Sequence, residues 1–190
     1  MKQILFVNAC VRPQSRTLQL TRELLKHIEG NVQEVALYDE GLAPVDLVQL
    51  TKRNELLAVD DYKAPLFKYA RQFAKADEIV IAAPYWDLAF PSILRVYLEH
   101  VTIVGVTFKY SSEGIPMGLC RAKRLLYVTT AGGPIGNCNF GYDYIKSVAN
   151  GFYGIQEVRC LKAENLDVFG ADVTAIMDKA ISEIDTVLAL

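Results

Sequence analysis

Three stretches, "QILFV" at residues 3–7, "EIVIAA" at 78–83 and "RLLYVTT" at 124–130, place apolar side chains at consecutive positions instead of alternating them with polar ones. Successive residues of a strand point to opposite faces, so such runs have to be covered on both sides, as a strand inside a parallel sheet is. Between the first strand and the next, Leu18, Thr21, Leu25 and Ile28 mark one face of a helix. The spacing predicts strands over 3–9, 31–38, 78–83, 124–130 and 156–162. It predicts helices over 46–60, 63–75, 91–101, 142–150 and 171–188, with Pro91 suited to a first turn. Parallel neighbours need crossover connections, so this alternation implies an α/β, doubly wound, five-stranded parallel sheet with helices on both faces. At 190 residues the chain is expected to form one domain over 1–190.

Two strand orders compete for such a chain: a dinucleotide-binding sheet and the order 2-1-3-4-5. Neither G-x-G-x-x-G nor G-x-x-x-x-G-K follows the first strand, which removes the pyrophosphate cradle and the triphosphate loop and favours the second order. A ligand then sits beyond the carboxyl ends of the strands, where the loops after strands 1, 3 and 4 meet.

Composition narrows the ligand. The 20 Lys+Arg and 22 Asp+Glu are scattered and sum to −2, so no basic face for nucleic acid stands out. No apolar run reaches the roughly 18 residues of a membrane span. Strand-like sequence begins within two residues of Met1, so no leader is expected and the protein is assigned to the cytoplasm. Cys10, Cys120, Cys138 and Cys160 have neither C-x-x-C nor zinc spacing and are expected as reduced thiols; with only His27 and His100, no metal is expected.

Each of the three loops is unusual for a connector. After strand 1, Arg12, Ser15, Arg16 and Thr17 bring hydroxyls, a cation and a helix start to one place, where backbone N–H groups and the helix dipole hold a phosphate. The plainer account makes Ser15 an N-cap and Thr17 a first-turn residue. After strand 3, Pro84, Tyr85, Trp86, Asp87 and Leu88 crowd aromatic and apolar groups, including the only Trp, onto a loop that should be exposed. A flat aromatic ligand or a partner subunit would cover them; packing under their own helix accounts for Leu88 better than for Tyr85, Trp86 and Asp87. After strand 4, Thr130, Ala131, Gly132 and Gly133 precede Pro134, a good turn that also lets backbone N–H groups approach a ligand.

With these loops the sequence resembles the flavodoxin-like FMN-dependent NAD(P)H oxidoreductases, the group of quinone reductases and NADH-dependent azoreductases. The likeness covers roughly residues 2–188. It implies that Ser15, Arg16 and Thr17 hold the FMN phosphate, with Cys10 where many members carry Ser. "PYWDL" (84–88) stands for a P-x-Y-N-F-like loop against the isoalloxazine, with Trp86 for Tyr, Asp87 for Asn and Leu88 for Phe; Gly132 and Gly133 reach the pyrimidine edge. "GVTFKYSSEGIPMGL" (105–119) resembles the family's G-x-T-F-x-Y excursion, near the dimer interface and the active-site rim.

The resemblance further implies a homodimer in which NADH or NADPH reduces the flavin and a quinone or azo acceptor then takes the same place, with no protein nucleophile. Gly132 and Gly133 N–H donors would stabilise the anionic reduced ring. An electron carrier of the same fold, a reductase of free FMN and a redox sensor switched by Cys10 are the alternatives. Phe140, Tyr142 and Tyr144 suit both pocket lining and core packing; a 2′-phosphate on the donor needs an Arg or Lys at the pocket mouth, and the sequence does not place loop residues such as Arg12 or Lys109 there, so NADH and NADPH both stay open.

Overall fold

The structure is a computed structural model and describes residues 1–189. Strands β1 (Gln3–Asn8), β2 (Asn31–Ala36), β3 (Glu78–Ala82), β6 (Arg124–Thr130) and β7 (Glu157–Ala163) form one sheet, and β4 (Phe108–Tyr110) and β5 (Pro116–Gly118) pair separately. The five strands run parallel in the order β2-β1-β3-β6-β7. The intervening helices are α1 (Arg16–Lys26), α2 (Leu47–Ala58), α3 (Lys68–Lys75), α4 (Ser92–Val101), α5 (Phe140–Val148), α6 (Val173–Ser182) and α7 (Ile184–Ala189).

The consecutive apolar runs divide between two cores by strand parity. Leu5, Val7, Ile79, Ile81, Leu125 and Tyr127 face α3, α4 and α5, where Phe73, Leu94, Tyr97 and Ile145 pack. Ile4, Phe6, Val80, Leu126 and Val128 face the other way, against Leu18, Leu20 and Leu24 of α1 and Ala180 and Ile184. Burying each large side chain of this kind contributes about 1.5–3 kcal/mol, so both faces hold the sheet between helix layers.

The two ends of the sheet differ in chemistry. At the amino end, Glu78 is fully buried and meets Lys2 and Arg124, whose Nε donates at 2.7 Å. At the carboxyl end, Asn8, Ala82, Thr130 and Ala163 open into loops.

Several elements differ from the periodicity reading. Residues 171–188, expected as one helix, break at Glu183 into α6 and α7, and α7 ends where Arg159 and Arg124 donate to the carbonyls of Val187 and Leu188. Residues 63–75 begin with a 3₁₀ turn at Pro65–Phe67 before α3. Pro91 stands just before α4, not inside its first turn. α5 starts at Phe140 because the Asn139 side chain accepts from the Tyr142 N–H, and it runs into a π-helical turn, Ala149–Tyr153. In the excursion 105–119, the Ser111 hydroxyl accepts from Glu113 N–H and Ile115 N–H and closes the turn between β4 and β5.

Candidate active site

A cleft of about 460 Å³ opens at the carboxyl end of the sheet, within the usual range of small-molecule sites. The first of its walls is the start of α1. Ser15 is the N-cap, its hydroxyl accepting from the Leu18 N–H at 3.3 Å. The N–H groups of Arg16 and Thr17, in the first turn, have no acceptor among the described residues. Arg12 lines the cleft without an ion pair among the described residues. Arg16 is paired: its Nη1 donates to Asp167 Oδ1 at 2.7 Å and to the Leu166 carbonyl at 3.3 Å. Thr17 is buried, and its hydroxyl shares a 2.7 Å hydrogen bond with that of Thr130, joining the first and third loops.

Pro84, Tyr85 and Trp86 form the second wall. The Tyr85 N–H donates to the Thr130 carbonyl at 3.0 Å, extending the β3–β6 ladder into the loops. Trp86 and Ala89 exchange both backbone hydrogen bonds, at 3.3 and 2.8 Å, around a two-residue turn. Asp87 and Leu88 occupy it at φ 50° and 67°, the positive-φ geometry that suits the twist of a hairpin.

Thr130, Ala131 and Gly132 form the floor, and a fourth loop, after β7, closes the cleft with Leu166 and Asp167. The Gly132 carbonyl accepts from Asp167 N–H and the Gly133 carbonyl from Asn165 N–H, while the N–H groups of both glycines lack acceptors among the described residues. A Cβ on Gly132 would lie 2.4 Å from Asp167 Oδ2, so the missing side chain at this position makes room for the fourth loop. Glu164 braces the same region. Burial pushes its carboxyl up, but the Ile135 N–H and Lys162 outweigh that and hold it below the usual carboxylate range.

Of the residues singled out in the sequence, Ser15, Arg16, Thr17, Pro84, Tyr85, Trp86, Thr130, Ala131 and Gly132 come together around the cleft. Cys10, Asp87, Leu88 and Gly133 lie beside it. The Cys10 thiol is half-buried, and burial pushes it up to about 11. Asp87 and Leu88 are at the exposed tip of the Trp86 turn. Tyr142 and Tyr144 pack against the core, Tyr142 donating to the Val158 carbonyl, and Phe140 is exposed; none of the three lines the cleft. Val11, Gln14, Leu166 and Asp167 were not anticipated. The rule that ligands gather at strand ends applied equally to β7 and would have found the last two.

A family profile described as flavodoxin-like fold matches residues 2–188. The chain belongs to this family. Among its relatives is an FMN-dependent NADH:quinone oxidoreductase of Lachnoclostridium phytofermentans, 37% identical over 188 residues and covering 92% of both chains. FMN-dependent NADH:quinone oxidoreductase 2 of Clostridium perfringens strain 13 is 31% identical, with 96% of both chains covered. In structure the chain is similar to an azoreductase from Bacillus anthracis strain Sterne, with a TM-score of 0.85, 27% identity and 98% of both chains covered. Within this flavodoxin-like member, no helix among the described residues is long and apolar enough to cross a membrane.

Proposed function

We propose that this chain is an FMN-dependent NAD(P)H oxidoreductase that reduces quinones or azo compounds by two-electron transfer, as one domain with its five main-sheet strands in the order 2-1-3-4-5. The observation that carries the reading is the meeting, in one cleft, of free first-turn N–H groups, an aromatic wall and the free Gly132 N–H, with that of Gly133 beside it. That donor set fits FMN from end to end. Arg16 and Thr17 N–H groups, the Ser15 hydroxyl and Arg12 suit a phosphate, since a helix start concentrates unpaired donors and partial positive charge. Pro84, Tyr85 and Trp86 offer a flat apolar face to an aromatic ring system. Gly132 and Gly133 N–H groups are free to donate to the polar edge of such a ring, and to favour it when it carries negative charge.

When bound, FMN supplies the hydride chemistry, accepting from a nicotinamide and delivering to an organic acceptor. The chain supplies position and electrostatics. Trp86 is about two-fifths exposed, so its wall is open to successive planar molecules. Arg16, held by Asp167, ties the α1 start to the fourth loop and limits how far the cleft can spread. NADH, the donor named for both quinone oxidoreductase relatives, is the donor proposed here.

The protein acts as a homodimer in the cytoplasm. Supporting the dimer, α2 has no fully buried residue and leaves Leu47 and Val48 about three-quarters exposed. A neighbouring groove of about 610 Å³ between α2, α4 and α5 continues that surface, with Leu50, Val148 and Phe152 beside Arg53, Arg95 and Glu99, an apolar strip with a charged rim of the kind a second copy would cover. Four unpaired cysteines suit a reducing compartment.

Purified protein is expected to show bound-flavin absorption and to oxidise NADH steadily with a quinone or azo acceptor; absence of both overturns the reading. Arg12→Ala should weaken FMN about tenfold, equivalent to about 1.4 kcal/mol, as measured by titration of FMN-free protein. Unchanged affinity would remove Arg12 from the phosphate site.

A further inference from the structure

The wall that carries Trp86 rests on the start of α5, and we infer that Gly141 is a positioning residue for that wall. Three contacts make the support. The Tyr85 hydroxyl donates to the Cys138 carbonyl at 2.9 Å, and the Phe140 N–H donates to the Leu88 carbonyl at 3.2 Å. Next to Phe140, Gly141 faces the Ala89 backbone so closely that a Cβ there would lie 3.1 Å from both the carbonyl carbon and oxygen of Ala89, and 2.7 Å from Tyr127 Oη. Neither neighbour yields easily: Tyr127 is fully enclosed, and Ala89 presents backbone.

Gly141 lies in the first turn of α5, where alanine is the better helix former. What glycine provides is therefore room. The segment 84–89 needs such a support, because a two-residue turn at positive φ has little local preference for one position when its tip is Asp-Leu instead of Asn-Gly. Cys138, Phe140 and Gly141 hold it at its beginning, tip and end, and α5 is in turn packed on the sheet through Ile145. Gly141 thus sets how far Trp86 and Tyr85 stand from the floor at Thr130–Gly132 without itself lining the cleft.

The effect on FMN rests on the flavin reading given above, but a direct reporter does not. Trp86 is the only tryptophan, so fluorescence excited at the red edge of the absorption band, where the ten tyrosines do not absorb, reports this wall alone. In Gly141→Ala, far-UV circular dichroism is expected to be retained. Acrylamide quenching of Trp86 in FMN-free protein should rise about twofold and the FMN Kd about tenfold, since small displacements of positioning groups have large effects. A folded Gly141→Ala with wild-type quenching and wild-type FMN affinity overturns the inference. Should that variant fail to fold, Tyr85→Phe removes a single oxygen from the same support; unchanged quenching and affinity there also overturn it. A wild-type protein that binds no FMN refutes the flavin reading, and the quenching comparison still judges Gly141.

Discussion

Leu88 is held at φ 67°, in a region that costs an L-residue about 1–2 kcal/mol and that glycine enters freely. Leu88→Gly should stabilise the protein by about 1 kcal/mol and raise the thermal midpoint by about 2–4 °C, the shift expected for a chain of this size. A lower midpoint would mean that the leucine side chain makes contacts worth more than the strain. The family resemblance implied that Asp87 and Leu88 lie against the ring, while the turn conformation places both at an exposed tip. Ser15 shows the opposite relation. Its capping role was legible from the step between an apolar run and a helical pattern, and the structure adds that two free N–H groups lie in the turn it caps. Gly132 is a third case: its lack of a side chain was read as access for a ligand, whereas Asp167 occupies the space a Cβ would fill.

Among elements, β3 combines two functions along five residues. Its carboxyl end leads into the Trp86 wall, and its first residue, Glu78, anchors the amino end of the sheet through Lys2 and Arg124. Glu78→Ala leaves Arg124, itself largely buried, without its carboxylate, and should destabilise the fold by about 3–5 kcal/mol in chemical denaturation. A loss below about 1 kcal/mol would show that water or Glu157 replaces Glu78, as at an exposed pair. The apolar run of β3 was plain in the sequence, but its ion pairs were not, because Lys2, Glu78 and Arg124 become neighbours only when three strands align in register. Residues 105–119 were recognised as an excursion by family likeness alone. Their pairing as β4 and β5 depends on Ser111 closing the turn, a side-chain contact that periodicity does not carry.

For the whole molecule, buried thiols link stability to alkaline pH. Burial raises Cys10 from 9.0 to about 11, and Cys120 and Cys160 to about 12. The unfolded chain loses these protons first, so between those values the folded state binds more protons and stability falls as pH rises. Their stabilising contribution is fully present below pH 9 and lost as pH climbs through the folded values. Urea midpoints should therefore agree at about pH 7 and about pH 8 and be lower at about pH 10.5; an unchanged midpoint at the highest pH would show that the thiols titrate as they do in water. Assembly is tested at the same scale. Sedimentation should report about twice the 21.2 kDa chain mass, and a fully active monomer at all concentrations would defeat the dimer.

The sequence by itself determined the alternation of strands and helices, and with it three of the four strand ends that supply the cleft, because burial on two faces or one is written in the spacing of neighbouring residues. It also placed Ser15, Tyr85, Trp86 and Gly132 on the loops concerned. Only the tertiary structure decided that Arg16 pairs with Asp167 across 151 positions, that a fourth loop completes the cleft, and that the Trp86 wall stands on α5. Those features depend on close approaches between distant segments, where tenths of an ångström and the direction of one side chain select the partner, and no local pattern of apolar and polar residues specifies either.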